Sequence, residues 1–212
     1  MPRLQLSRRE ILQKCFAAGL LTAASPLPAK SLITLWQERE ARKYTPTPSN
    51  VLGPFYKKSA PRSTRLVLPG DPGIPLVVSG AVVDTRGELV PEARLEIWHA
   101  DHLGHYDLDG YRCRALLPAS EKAEYRFETV MPGHYPDRVA QHIHYLVSAP
   151  GHKTLVTQLY FATDPVFEGD PARNFSRDPL VGTPELIRPV VLLGDAQSVR
   201  AAVTFPICLE RS

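Results

Sequence analysis

Cysteine is scarce, three residues among 212, too few for the disulfide framework of a small secreted scaffold. A long apolar run is also missing. The stretch "CFAAGLLTAA" beginning at Cys15 extends over about ten residues, whereas a helix needs ~20 to cross a bilayer. No internal repeat and no low-complexity tract is present, which argues against repeat architectures. Charge is nearly balanced, with 25 Lys and Arg against 22 Asp and Glu. The whole surplus of +3 lies in the first 29 residues, where Arg3, Arg8, Arg9 and Lys14 face Glu10 alone. A chain starting near Lys30 would carry no net charge, so nothing points to nucleic acid or an anionic membrane as partner.

Proline, by contrast, is abundant: 21 residues, about twice the usual share of ~5%. That frequency predicts many turns and few long helices. With 43% hydrophobic and 22% charged residues, the chain has the composition of an ordinary globular domain that buries a core.

The N-terminus reads as an address rather than as fold. "SRREILQK" (Ser7–Lys14) supplies paired arginines, the short apolar run follows, and "SPLPA" closes a small-residue zone. The pattern resembles the twin-arginine export signal. It implies the export machinery as a partner and a periplasmic or extracellular location. The alternative is a short amphipathic helix that belongs to the fold. Removal of residues 1–29 would take Cys15 away and leave Cys113 and Cys208, either as one disulfide or as two unrelated buried thiols. Residues 30–52 form an N-terminal extension and linker. "SLITLWQEREARKY" is readable there as a short helix and "TPTPSN" (Thr45–Asn50) as an extended stretch.

From about Leu76 the pattern becomes β. "LVVSGAVVD" ends in a Gly/Pro turn. "RLEIWHA" then alternates, with Leu95 and Ile97 on one side and Arg94, Glu96 and Trp98 on the other. Further strands are expected in residues 123–130, 142–149, 154–162, 188–193 and 199–207. The stretch Thr163 to Ile187 reads as one long loop, of the kind usually tied to function. Short strands between Gly/Pro turns indicate an all-β sandwich or barrel.

Within "HYPDRVAQHIHYL", His142 and His144 are two apart on an expected strand, so their imidazoles share a face. Two imidazoles side by side repel if protonated and are costly to bury unpaired. A metal taking both neutral rings as ligands removes both difficulties. Tyr135, between Gly133 and Pro136, and Tyr106, at the end of "WHADHLGHY", are candidate phenols. Two phenolates with two imidazoles suit a hard trivalent cation such as Fe(III) and match zinc poorly. No Asp or Glu on this strand completes a two-histidine, one-carboxylate set.

Here the chain resembles the intradiol ring-cleaving dioxygenases, which include catechol 1,2-, hydroxyquinol 1,2- and protocatechuate 3,4-dioxygenases. The blocks that carry the resemblance are "GPFY" (Gly53–Tyr56), "GAVVDTRGELVPEARLEIWHADHLGHY", "YRFETVMPGHYP", "HIHYLVSAPGH" and "TQLYF". They occur in order from about Gly53 to Phe161, within a domain placed at residues 53–212. The resemblance implies a β-sandwich binding one Fe(III) per subunit through Tyr106, Tyr135, His142 and His144, with Tyr135 the displaceable ligand. It implies a catechol-type diol and O2 as substrates, opened between the hydroxylated carbons to a cis,cis-muconate, and often a homo-oligomer. Gln158 matches a glutamine beside the metal shell, or is an ordinary half-buried amide. Val51, Leu52 and Pro54 match a segment that contacts substrate.

One departure stands out. The family commonly has an arginine three residues before the first histidine, as in "RPAHIH". This chain reads "RVAQHIH", with Val139 at that position and Arg138 one residue earlier. An extra loop residue that bulges would still present Arg138 to stabilise negative charge on the substrate. The competing readings are a non-catalytic secreted β-sandwich binding module and a copper or zinc enzyme using the same histidine pair. His99, His102, His105 and His134 read as entrance or plain loop residues, and Tyr111 and Tyr125 as alternative phenols.

Overall fold

The computed structural model describes residues 44–135, 138–194 and 198–212. The expected export signal, and all but Tyr44 of the expected N-terminal helix, lie outside the described residues. Among the described residues ten strands form two mixed sheets, an all-β sandwich as expected. The first sheet is built around β1 (Pro75–Asp84), which pairs antiparallel with β4 (Glu124–Val130). On its other side β1 pairs parallel with β9 (Arg200–Thr204) and then β10 (Ile207–Leu209). β8 (Val190–Leu193) lies antiparallel beyond β9. The second sheet contains β2 (Arg94–Trp98), β3 (Arg114–Pro118), β5 (His142–Ser148), β6 (Leu155–Phe161) and β7 (Ile187–Arg188). Its order is β3-β2-β5-β6-β7.

Period-2 alternation decides which side chains fill the space between the sheets. Leu76, Val78 and Val82 of β1 and Tyr125 and Phe127 of β4 are buried, as are Leu95, Ile97, Ile143, Tyr145, Val147 and Leu159 of the second sheet. The Tyr145 ring sits 6.3 Å from that of Tyr125, 6.4 Å from Phe127 and 5.2 Å from Phe205, and so joins the two layers. Each such side chain contributes about 1.5–3 kcal/mol by leaving water.

The structure departs from the expected elements at three places. β3 was not expected: "RALLP" is a short apolar run without alternation, and only its pairing with β2 makes it a strand. The strand expected over 199–207 is two, β9 and β10, separated at Phe205 and Pro206, because proline has no N–H for a ladder. Residues 163–187 are not structureless. They hold short helical turns at Pro165–Phe167, Pro171–Asn174, Phe175–Arg177 and Pro184–Leu186. Asp164, Asp170 and Thr183 each cap one of these turns just before a proline. Cys113 and Cys208 are both buried free thiols, unlinked to each other.

Both faces of β5 are covered. Ile143, Tyr145 and Val147 point into the sandwich, so His142 and His144 point out of it, yet both are buried. Their cover includes the extended segment 44–56, held to the domain by backbone bonds from Thr47 to Cys208 (3.0 Å) and from Asn50 to Val156 (2.8 Å).

Candidate active site

Strand register assembles the floor of the site. His144 is paired with Trp98 of β2 on one side and Gln158 of β6 on the other, and His142 with Tyr160. All five side chains therefore share the outer face of the second sheet. The Trp98 indole lies flat on His144, centroids 4.9 Å apart and planes within 4°. Gly53 closes over the other side of that imidazole. A Cβ there would stand 2.9 Å from His144 Cε1, and the residue's φ of +74° also favours glycine.

Tyr106 and Tyr135 come from two loops that touch through glycine. Gly133 N–H donates to the Asp101 carbonyl at 2.7 Å, and any Cβ on Gly133 would meet the backbone of His102 and Gly104 at 2.5 Å. This approach places the Tyr106 and Tyr135 rings 5.7 Å apart, edge to face. Phe55 stacks on Tyr106 at 4.2 Å, and the Arg114 guanidinium lies 5.8 Å from the same ring.

The four candidate ligands thus form one cluster. Ring centroids are 4.8 Å apart for His142 and His144, 5.7 Å for Tyr135 and His142, and 6.4 Å for Tyr106 and His144. His142 Nδ1 bonds the Ala140 carbonyl at 2.8 Å, which fixes the ring and leaves Nε2 for another partner. That Nε2, Nδ1 of His144 and the Tyr106 hydroxyl are all buried with no hydrogen-bond partner among the described residues. Burial, with the nearby Arg138 charge adding, holds His142 down at about 3. Burial and the neighbouring His142 lower His144 well below its usual value. Both are neutral imidazoles, the form that binds metal. The Tyr106 phenol is pushed up, by burial first and by the Tyr135 phenol second. A phenol so disfavoured as an anion ionises when a cation stands beside it. Among the described residues no group of three or more His, Cys, Asp or Glu is placed to hold a metal. The Tyr106 and Tyr135 phenols stand beside the histidine pair, and two phenols with two imidazoles are a donor set that fits Fe(III).

Arg138 reaches the cluster despite its shifted position. Its side chain is buried, with Nη2 donating to Gln158 Oε1 at 3.0 Å and to the Tyr160 hydroxyl at 2.8 Å, and Nε to Asp178 Oδ2 at 3.2 Å. Val139 turns outward, 48% exposed. Gln158 is fully buried and donates to the Val51 carbonyl at 2.7 Å. Val51 and Pro54 stand exposed on the segment covering the site.

The remaining candidates stay outside. His99 is buried and bonded to Ala100 and Thr129; His134 bonds Asp164 at 3.0 Å. Tyr111 bonds the Lys58 carbonyl, and Tyr125 is in the core, bonded to Phe205. Phe55, Arg114, Asp164 and Asp178 also reach the site or its supports, though the sequence alone does not single them out as site residues. For the two aspartates a signal existed, since Asp-Pro occurs at 164, 170 and 178 in the segment read as plain loop. Asp164 bonds His134 and Gln141, and Asp178 bonds Arg138 and Ala140, so both tie that segment to the residues before His142.

A family model described as Dioxygenase matches residues 51–210. A hydroxyquinol 1,2-dioxygenase of Rhodococcus opacus is 38% identical over 146 residues, 58% of this chain and 48% of that protein. A catechol 1,2-dioxygenase of Acinetobacter baylyi is 31% identical over 194 residues, 78% of this chain and 62% of that protein. The chain thus spans about half to three-fifths of the length of such curated relatives. Among solved structures, the dioxygenase domain of a dioxygenase–carbohydrate-binding fusion from Streptomyces sp. SirexAA-E superposes with a TM-score of 0.69 at 34% identity. It covers 79% of this chain and 100% of that one. The 3-chlorocatechol 1,2-dioxygenase of Rhodococcus opacus 1CP shares the fold, with a TM-score of 0.68 at 19% identity, covering 97% of this chain and 90% of that one.

Proposed function

The chain belongs to the intradiol dioxygenase family, and from that premise we propose that it is a non-haem Fe(III) enzyme acting on catechol-type diols. It breaks the bond between the two hydroxylated carbons and adds one atom of O2 to each, to give a cis,cis-muconate-type product. The observation that carries this reading is the convergence of Tyr106, Tyr135, His142 and His144, in which His142 Nε2, His144 Nδ1 and the Tyr106 hydroxyl are buried with no hydrogen-bond partner among the described residues.

In this proposal those four side chains hold one Fe(III) per subunit. Fe(III) held there would supply the electron withdrawal that makes a bound diol reactive toward O2. The other steps belong to the chain. Tyr135, the ligand on the loop, accepts a proton from a diol hydroxyl as general base. Arg138 holds a positive charge where negative charge develops on the ring. Gln158 is fixed between the Arg138 guanidinium and the Val51 carbonyl and keeps the arginine in place. Val51 and Pro54 line the approach to the ring. We also propose export through residues 1–29 and assembly into a homo-oligomer. The N-terminal mass of protein recovered outside the cytoplasm and a sedimentation measurement test these two points.

A visible spectrum of purified protein tests the main reading. A tyrosinate-to-Fe(III) band that shifts when catechol is added under argon, followed by ring opening with both atoms of labelled O2 in the product, is expected. A protein that stays colourless after Fe(III) is supplied would overturn the reading. Bound copper or zinc would then favour a different metal enzyme, and no metal at all a binding module.

A further inference from the structure

Asp178 lies between β6 and β7, forty residues along the chain from Arg138. Its carboxylate is buried, and both oxygens are occupied. Oδ2 accepts from Arg138 Nε at 3.2 Å and also from the Ala140 backbone N–H at 3.2 Å. Oδ1 accepts from the Leu180 N–H at 2.9 Å. One carboxylate oxygen therefore grips the chain on either side of Val139, the residue whose side chain is turned out to solvent.

We propose that Asp178 is the positioning residue that sets Arg138 in the active site, an inference that rests on the function proposed above. Arginine is a long side chain with several free torsions, and bonds through a single nitrogen leave its plane free to pivot. In this site Nη2 is fixed by Gln158 and Tyr160. The bond from Nε to Asp178 anchors a second nitrogen of the same planar group, which limits its pivot about Nη2. The charge argument runs the same way. A guanidinium buried near two neutral imidazoles and two phenols is unfavourable without an anion, and an unpaired one would turn toward water. The grip on Ala140 adds the backbone part. It holds the Val139 bulge shut, so the arginine enters the site from a position one residue earlier than the resemblance leads one to expect. Asp178 reaches no substrate in this scheme: it is buried, and both its oxygens already accept from the protein, from Arg138, Ala140 and Leu180.

The test compares the wild type with Asp178→Asn, Arg138→Ala and the double variant. For each, steady-state ring opening of catechol, anaerobic catechol binding to the ferric protein, and melting of the metal-free protein are measured. Asp178→Asn is expected to lower kcat about 10- to 100-fold, with anaerobic catechol binding changed less than about threefold. The double variant is expected to be no slower than Arg138→Ala alone. In the metal-free protein the second substitution should add little to the melting change of the first, because the same pair is already broken. Asp178→Glu, which keeps the charge, should recover part of the rate and serves if the asparagine variant does not fold. Two outcomes overturn the inference: an unchanged kcat in Asp178→Asn, or losses that multiply independently in the double variant. A wild type that binds catechol but opens no ring overturns the proposed function instead, and the inference with it.

Discussion

At the scale of the residue, His142 and His144 are distinguished by the bonds they lack. A buried imidazole nitrogen with no partner is costly, yet two occur on adjacent outward positions of one strand, beside a third orphan on Tyr106. A metal bound by these side chains would relieve such penalties. Replacing His144 by Ala is accordingly expected to cut iron content by more than the 10- to 100-fold typical of losing a supporting partner. The replacement should leave the fold intact, and metal analysis alongside circular dichroism checks both parts. Phe55 works through packing. Stacked on Tyr106 at 4.2 Å, it should contribute about 0.5–1.5 kcal/mol beyond its burial. A double-mutant cycle of Phe55→Leu with Tyr106→Leu, each of which removes one ring of the stack, read by urea unfolding of the metal-free protein, measures that coupling. The periodicity of "HIH" makes the shared face of the two histidines legible from the chain alone. The orphaned nitrogens are not legible, because burial of an outward face depends on segments distant in sequence.

At the scale of the element, the site depends on how closely loops approach each other. Gly104 has φ +87°, and a Cβ there would fall 1.9 Å from the His134 carbonyl oxygen. Gly104→Ala should therefore push the Tyr106 loop away from the Tyr135 loop. It is expected to cost about 1–3 kcal/mol of stability and to reduce iron retention more than an equally destabilising core substitution does. Melting and metal content, measured on the same samples, separate the two effects. The segment 163–187 shows where reading by element fails. Its prolines and aspartates look like loop composition, and so they are, but three short turns capped by Asp or Thr give it a defined path. That path delivers Asp164 and Asp178 to the residues before β5. Asp-Pro repeats signal capped turns. They do not reveal which side chain a capping carboxylate will meet elsewhere.

At the scale of the whole molecule, burial couples stability to pH. His99, which directly follows β2, is buried and bonded to Ala100 and Thr129. Burial first, with Arg114 adding, lowers it to about 4. The unfolded chain takes up this proton near pH ~6.5, while the folded protein refuses it until pH reaches about 4. Folding is thus uncharged by this group above pH ~6.5. It loses about 3 kcal/mol as pH falls from there toward 4, and no more below that. Urea unfolding of metal-free wild type and His99→Gln across this range tests the sign, since the variant should show a shallower acid decline.

The sequence by itself determined an all-β domain, the inward alternation of most strands and the shared face of the histidine pair, all of which follow from local periodicity. The choice of sandwich over barrel and the assignment of Tyr106 and Tyr135 as companions of the histidines came from the ordered motifs of the family resemblance. Only the tertiary structure decided that Arg138 turns inward while Val139 turns out, that Asp178 bonds the chain on both sides of Val139, and that Phe55 packs on Tyr106 while Trp98 and Gly53 enclose His144. It also decided that "RALLP" is a strand and that Cys113 and Cys208 remain apart. These depend on which distant segments meet, and the free energy of such meetings comes from burial and from pairing of polar groups across the fold. No local pattern encodes that sum.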